Sequence, residues 1–175
     1  MRRCAFLSLS LLAACHPAGP GPSAARAAMD SLLADGRRAH LDRDADLLAA
    51  SLADTLVSIA DGAANASPKD SVRAMFGRYF TDASYNHWDD VAPPRIIISD
   101  DNSLAWVARV VCVDREEPAP EGGRRRRVFV SAYTATYAWK EDGWRMTTVT
   151  STFLPDPPTT CPQRAHDERS QTPGS

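Results

Sequence analysis

The sequence predicts an α+β domain in which three helices pack on a curved antiparallel sheet. Three observations carry that expectation: an amphipathic stripe near the start, a run of alternating strands in the second half, and a hairpin signal at Asp142-Gly143. At 175 residues the chain makes about one domain. Hydrophobic residues at 43% and charged residues at 24% are ordinary for a chain with a true core. The net charge of -2 argues against a nucleic-acid partner, for which a basic surface is needed. No stretch approaches the ~20 apolar residues that span a bilayer.

In chain order, Ser23 to Leu41 places Ala25, Met29, Leu32, Leu33, Gly36 and His40 on one helical stripe. Asp42-Arg43-Asp44 interrupts it, and Ala45 to Leu52 predicts a second, short helix. Leu56 to Ala60 leans to strand, with a turn at Asp61-Gly62. Ser67-Pro68-Lys69-Asp70 predicts a helix start capped by Ser67, with Pro68 in the first position. Val72, Met75, Phe76, Tyr79 and Phe80 then share one face, expected to lie on the aromatic side of the final hairpin. Tyr85 to Asp90 and Pro93-Pro94 predict an irregular segment. Arg95 to Ser99 and Leu104 to Asp114 predict strands, and Glu116 to Gly123 a loop. Arg124 to Arg127 is expected to be a solvated flank of that loop, with contact to anionic headgroups as the alternative.

From Val128 to Phe153 the period of two predicts a long hairpin. A two-residue turn at Asp142-Gly143 would pair Trp139 with Met146, Tyr137 with Thr148, and Tyr133 with Thr152. That register gathers Tyr133, Tyr137, Trp139, Trp144 and Met146 on one face. A three-residue loop with a glycine bulge would change the pairing. After Leu154 the composition turns to Pro, Thr, Gln and Ser, which predicts a disordered tail over 155–175.

The N-terminus reads as an export signal: Arg2-Arg3, an apolar run from Ala5 to Leu12, then Leu12-Ala13-Ala14-Cys15. The Cys in that position resembles the lipobox of bacterial lipoproteins. The resemblance implies a signal peptide over 1–14 and a lipidated Cys15, anchoring the chain to the membrane. His16 rather than Asp after the Cys implies the outer membrane, facing the periplasm. An ordinary signal peptide with an incidental Cys is the alternative. Residues 15–23 would then be a Pro/Gly tether, and the mature chain would carry 18 basic against 22 acidic residues. Cys112 and Cys161 remain; an oxidising compartment permits their bridging. Cys112 as a free, buried small hydrophobe is equally consistent with its strand.

The order of elements resembles the nuclear transport factor 2-like fold, the α+β cone shared with ketosteroid isomerases and SnoaL-like polyketide cyclases. The matching stretches are AHLDRDADLLAASLADTLVSIADG, SPKDSVRAMFGRYF, SDDNSLAWVARVVCV and YAWKEDGWRMTTVTSTF, within a domain placed at 24–154. The last two look most like a bacterial secreted or lipoprotein branch. The resemblance implies a curved antiparallel sheet wrapped around three N-terminal helices, with an apolar pocket inside the cone. Because this fold hosts enzymes, binders and scaffolds, function has to come from the site.

Enzymes of this fold use a buried Asp or Glu, or an Asp-His pair. Alternation is expected to send Trp106, Tyr133, Tyr137, Thr148 and Thr150 inward, none of them an acid. With Tyr79 and Trp88 these are the candidate ligand-contacting residues. His40 is the candidate catalytic base, against a structural reading in which it bonds a carbonyl or Asp44. His87 with Asp89 and Asp90 has no spacing that fixes a metal geometry. Arg109 is expected on the open face or at a dimer interface, with a partner carboxylate or an anionic ligand as the alternatives. The sequence requires no cofactor and no metal. The leading expectation is a lipid-anchored envelope protein binding a small apolar or amphipathic ligand without catalysis. The alternatives are an isomerase, cyclase or dehydratase using His40, and an assembly module pairing as a homodimer through the sheet.

Overall fold

The structure is a computed structural model that describes residues 20–141, 143–156 and 158–162. Cys15 and the signal segment lie outside the described residues. Helix α1 (Pro22–Asp42) starts with proline in its first turn, where a missing N–H costs nothing. It stops because Arg43 adopts a left-handed conformation, φ 58°, and donates its amide to the carbonyls of Ala39 and His40. Asp44 then caps α2 (Ala45–Ala50), its carboxylate accepting from Leu47 N at 2.8 Å. Strands β1 (Leu52–Ala60) and β2 (Ala63–Pro68) join through Asp61 and Gly62, both at positive φ as a tight hairpin demands. Helix α3 (Lys69–Asp82) follows. Ser67 pairs with Leu56 in the β1–β2 ladder and does not cap α3, which begins after Pro68 without a side-chain cap.

Five further strands follow: β3 (Ser84–Asp90), β4 (Arg95–Ile98), β5 (Leu104–Pro118), β6 (Arg124–Lys140) and β7 (Gly143–Phe153). The sheet runs β2-β1-β7-β6-β5-β3, with β4 beside β3 on the same edge of β5. The fold is α+β, with the helices packed on a curved, unclosed sheet. That sheet is mixed: β1 runs parallel to β7, and every other pairing is antiparallel.

The final hairpin departs from the expected register. Lys140 pairs with Gly143, Trp139 with Trp144, and Tyr137 with Met146; then Thr136 pairs with Thr148. Thr147 is an extra residue, a bulge whose hydroxyl lies 2.9 Å from that of Thr136 and donates to its carbonyl at 3.2 Å. The turn shift preserves the aromatic face, but the bulge inverts everything beyond it. Tyr137, Trp139, Trp144 and Met146 therefore face the helices as expected, and Val149 joins them.

Helix α1 covers most of this face, and the cluster beneath α3 meets it only at Met146 and Val149. Ala25, Met29 and Leu33 pack with Val107, Ala135, Tyr137 and Trp144. The Trp144 indole N–H donates to the Ala25 carbonyl at 2.9 Å, riveting the hairpin tip to the first turn of α1. Trp144→Phe, which keeps the ring and loses this bond, is expected to cost about 1–2 kcal/mol in urea unfolding. Helix α3 instead puts Val72 and Phe80 against Ala39, Leu48, Leu52 and Leu56, while Met75 is exposed.

Tyr85 to Asp90, expected to be irregular, belong to strand β3, paired with the far half of β5. Residues 124–127, expected as a loop flank, open β6 and pair residue by residue with Pro118 to Arg115. Beyond Leu154, Cys161 is bridged to Cys112 of β5, with Cα atoms 5.6 Å apart. Residues 163–175 lie outside the described residues.

Candidate functional site

Alternation along β5 decides which chemistry the concave face carries. Ala105, Val107, Arg109, Val111 and Val113 are all buried, opposite Tyr137, Ala135, Tyr133, Ser131 and Phe129 of β6. Arg109 is thus inside, at 4% exposure, and not on the open face or at an interface. Its guanidinium makes a two-pronged pair with Asp90, Nε to Oδ1 at 2.7 Å and Nη2 to Oδ2 at 2.9 Å. It also lies over the rings of Trp88, at 5.0 Å, and Tyr133, at 5.8 Å. Burial of the Tyr133 hydroxyl pushes its pKa up, against the pull of Arg109, so it stays a neutral donor.

His40 sits in the last turn of α1, stacked on Trp88 with centroids 4.6 Å apart. Phe76, Phe80 and Tyr85 meet the ring edge-on, at 6.1, 5.7 and 5.7 Å. Its Nδ1 lies 2.7 Å from the Gly36 carbonyl, which can only accept, so the proton sits on Nδ1. The carbonyl alternative, not Asp44, is the partner realised. Burial drives the His40 pKa down from 6.5 to about 4; the Gly36 bond opposes this and the Arg109 charge adds to it. The folded state therefore holds His40 neutral, while an unfolded chain protonates it below pH 6.5. Stability is expected to rise by about 3 kcal/mol between pH 4 and pH 6.5, because the unfolded state binds the extra proton there. His40→Gln should lose that rise in a comparison of urea midpoints across the window. An unchanged slope would refute the assignment.

The candidate residues divide between the two faces. Trp88, Tyr133 and His40 come together around Arg109, and Tyr79 lies further along the same aromatic wall, 6.3 Å from Tyr85. Tyr137 is 1% exposed beneath α1. Trp106, Thr148 and Thr150 are on the outer face, contrary to expectation. Trp106 pairs with Thr136 and belongs to the set opposite Arg109's; the Thr147 bulge turns Thr148 and Thr150 outward. His87 and Asp89 alternate with Trp88 and Asp90, so the His-x-Asp-Asp run is split between faces. Among the described residues no group of three acidic, His or Cys side chains is placed to hold a metal.

Sequence reasoning missed Asp90, Arg115, Glu117 and Phe129 on the concave face. Alternation was the available signal. Carried four residues past Val113, it places Arg115 and Glu117 inside, opposite Arg127 and Arg125. Two hollows are open among the described residues. One, of about 350 Å³, is lined by residues of β4, β5, β6 and β7, among them Arg95, Arg109, Val110, Tyr133, Thr134 and Thr150. The other, of about 580 Å³, runs between Val91, Val130 and the segment from Leu154 to Pro162.

No protein-family model matches the sequence, and no curated protein does. Among solved structures the chain is similar to a Kribbella flavida protein, with TM-score 0.64 and 20% identity over 75% of this chain and 91% of that one. It is similar to a ketosteroid isomerase-like protein of Erwinia carotovora, TM-score 0.54 and 14% identity, covering 77% and 96%. A candidate Ca/calmodulin-dependent kinase II association domain from Exiguobacterium sibiricum matches at TM-score 0.59 and 15% identity, covering 80% and 100%. The chain has the nuclear transport factor 2-like fold.

Proposed function

We propose that this chain is a lipid-anchored protein of the bacterial envelope whose cone-shaped domain is a non-catalytic association module, pairing two copies through the convex face of the sheet. The observation that carries the reading is the composition of that face. From Leu104 to Cys112, from Val128 to Ala138, and from Thr148 to Thr152, the outward residues are Thr, Ala, Val, Leu, Trp and Cys without a single charge. Leu104 is 58% exposed, Ile97 50% and Val110 40%, and exposed apolar residues on one face, with Arg95 beside them opposite Ala108, are of the kind that marks an interface. The similarity to a candidate association domain supports the same reading. So does the enclosure of His40 by four aromatic rings, which suits a packing role for that side chain. The anchor rests on Cys15 and the signal before it.

The full chain is expected to sediment as a dimer in detergent at tens of micromolar. Val110→Asp, at the centre of the patch, should shift it to monomer by tenfold or more in dissociation constant with little change in melting temperature. A wild-type monomer would refute the association reading. Incorporation of labelled palmitate that Cys15→Ser abolishes tests the anchor.

A further inference from the structure

At the end of the cone formed by the β5–β6 turn, three arginines converge on one carboxylate. Glu117, 9% exposed, accepts from Arg125 Nε at 3.0 Å and Nη2 at 2.7 Å, has Arg127 Nη1 at 3.7 Å, and pairs through its other oxygen with Arg115. Arg115 is 8% exposed and held between the rings of Tyr79 and Phe129, each 5.0 Å from its central carbon. Its Nε–H is buried with no acceptor. A buried guanidinium donor without an acceptor is costly, and a site with three positive charges on one negative is undercompensated. Neighbouring acids do not close the balance: Glu116 is engaged by Arg124 and Asp114 by Arg126. Burial holds the Arg115 pKa below its ordinary value, with Arg127 and Arg125 adding to the effect despite Glu117.

We propose that this three-arginine cradle is a binding site for an organic carboxylate with an apolar body, and that Glu117 occupies the carboxylate position when no ligand is bound. The chemistry is that of the present occupant. Guanidinium groups are good carboxylate partners, and Glu117 already shows a carboxylate seated among them, one oxygen taking both Arg125 donors and the other Arg115. The apolar body would lie along Tyr79, Tyr85 and Phe129, which continue from the cradle toward His40. Access is through Arg125 and Arg127, whose side chains are 49% and 51% exposed. A ligand carboxylate entering there can take the unused Arg115 Nε–H and supply the missing negative charge, with Glu117 turning outward or staying as second acceptor. This site is independent of the convex face and of dimerisation.

The test is a titration of the ¹⁵N-labelled full chain with hexanoate, and separately with inorganic phosphate, following the Arg Nε–H resonances. Hexanoate should shift the Arg115 signal saturably. Arg125→Gln with Arg127→Gln, both at half-exposed positions, should weaken binding tenfold or more while leaving the melting temperature nearly unchanged. Glu117→Gln should tighten it several-fold by removing the negative charge that competes with the ligand's. No saturable shift with hexanoate in the wild type and in Glu117→Gln would overturn the proposal, as would binding indifferent to the double arginine variant. Phosphate binding as tightly as hexanoate would overturn the requirement for an apolar body, and with it the assigned ligand class.

Discussion

Asp90→Ala is expected to destabilise the fold by about 3–5 kcal/mol, read as the loss of unfolding free energy in urea. The size follows from what is left behind. Arg109 has its carboxylate partner at 2.7 Å and 2.9 Å, and both residues are under 8% exposed. Without that carboxylate the guanidinium faces Trp88 and Tyr133, whose π-faces offset only part of a buried charge. Removing both partners gives a different outcome. Arg109→Met with Asp90→Leu replaces the pair by apolar volume and should cost far less than Asp90→Ala alone, since the desolvation of two ions is avoided. A loss under 1 kcal/mol for Asp90→Ala would mean the pair is solvated in the folded protein.

Cys161→Ser is expected to cost about 4 kcal/mol, the closure entropy of a loop with a sequence separation of 49. For a chain of this size that corresponds to a fall of about 10 °C in melting temperature. Wild-type protein melted in strong reductant should fall to the same value, and the variant should not respond to reductant. A difference under about 3 °C would show that the bridge constrains little beyond what the strand already fixes. The buried Cys112 leaves no unsatisfied polar group in the variant, because a thiol there behaves as a small hydrophobe.

Helices α1 and α2, the Asp61-Gly62 turn and the aromatic face of the hairpin were legible because each follows from local rules: a stripe, its interruption at Asp42-Arg43-Asp44, a turn dipeptide, alternation; the one cap expected, Ser67, is not realised. What escaped has a non-local cause. The Thr147 bulge adds one residue without changing composition, so Thr148 and Thr150 read as inward until the pairing is known. Strand β3 is built from Tyr, Asn, His, Trp and Asp, poor strand formers in part, and exists because β5 offers it an edge. Arg109 read as outward because its partner, Asp90, lay in that same unrecognised strand. Arg124 to Arg127 read as solvated for want of the opposite strand, where Asp114, Glu116 and Glu117 meet them. Of the candidate site, His40, Trp88 and Tyr133 could be found from the residue types; the charges that organise them could not.

The one parallel pairing, β1 against β7, sets the order in which the domain can be completed. The first strand to leave the ribosome has its permanent neighbour in the last, and the core beneath α3 draws on Met146 and Val149 from that same late strand. A nascent chain missing those closing residues has no way to finish its interior. Under the envelope reading proposed above, that delay would let the chain reach the translocation machinery while still pliable and mature on the far side.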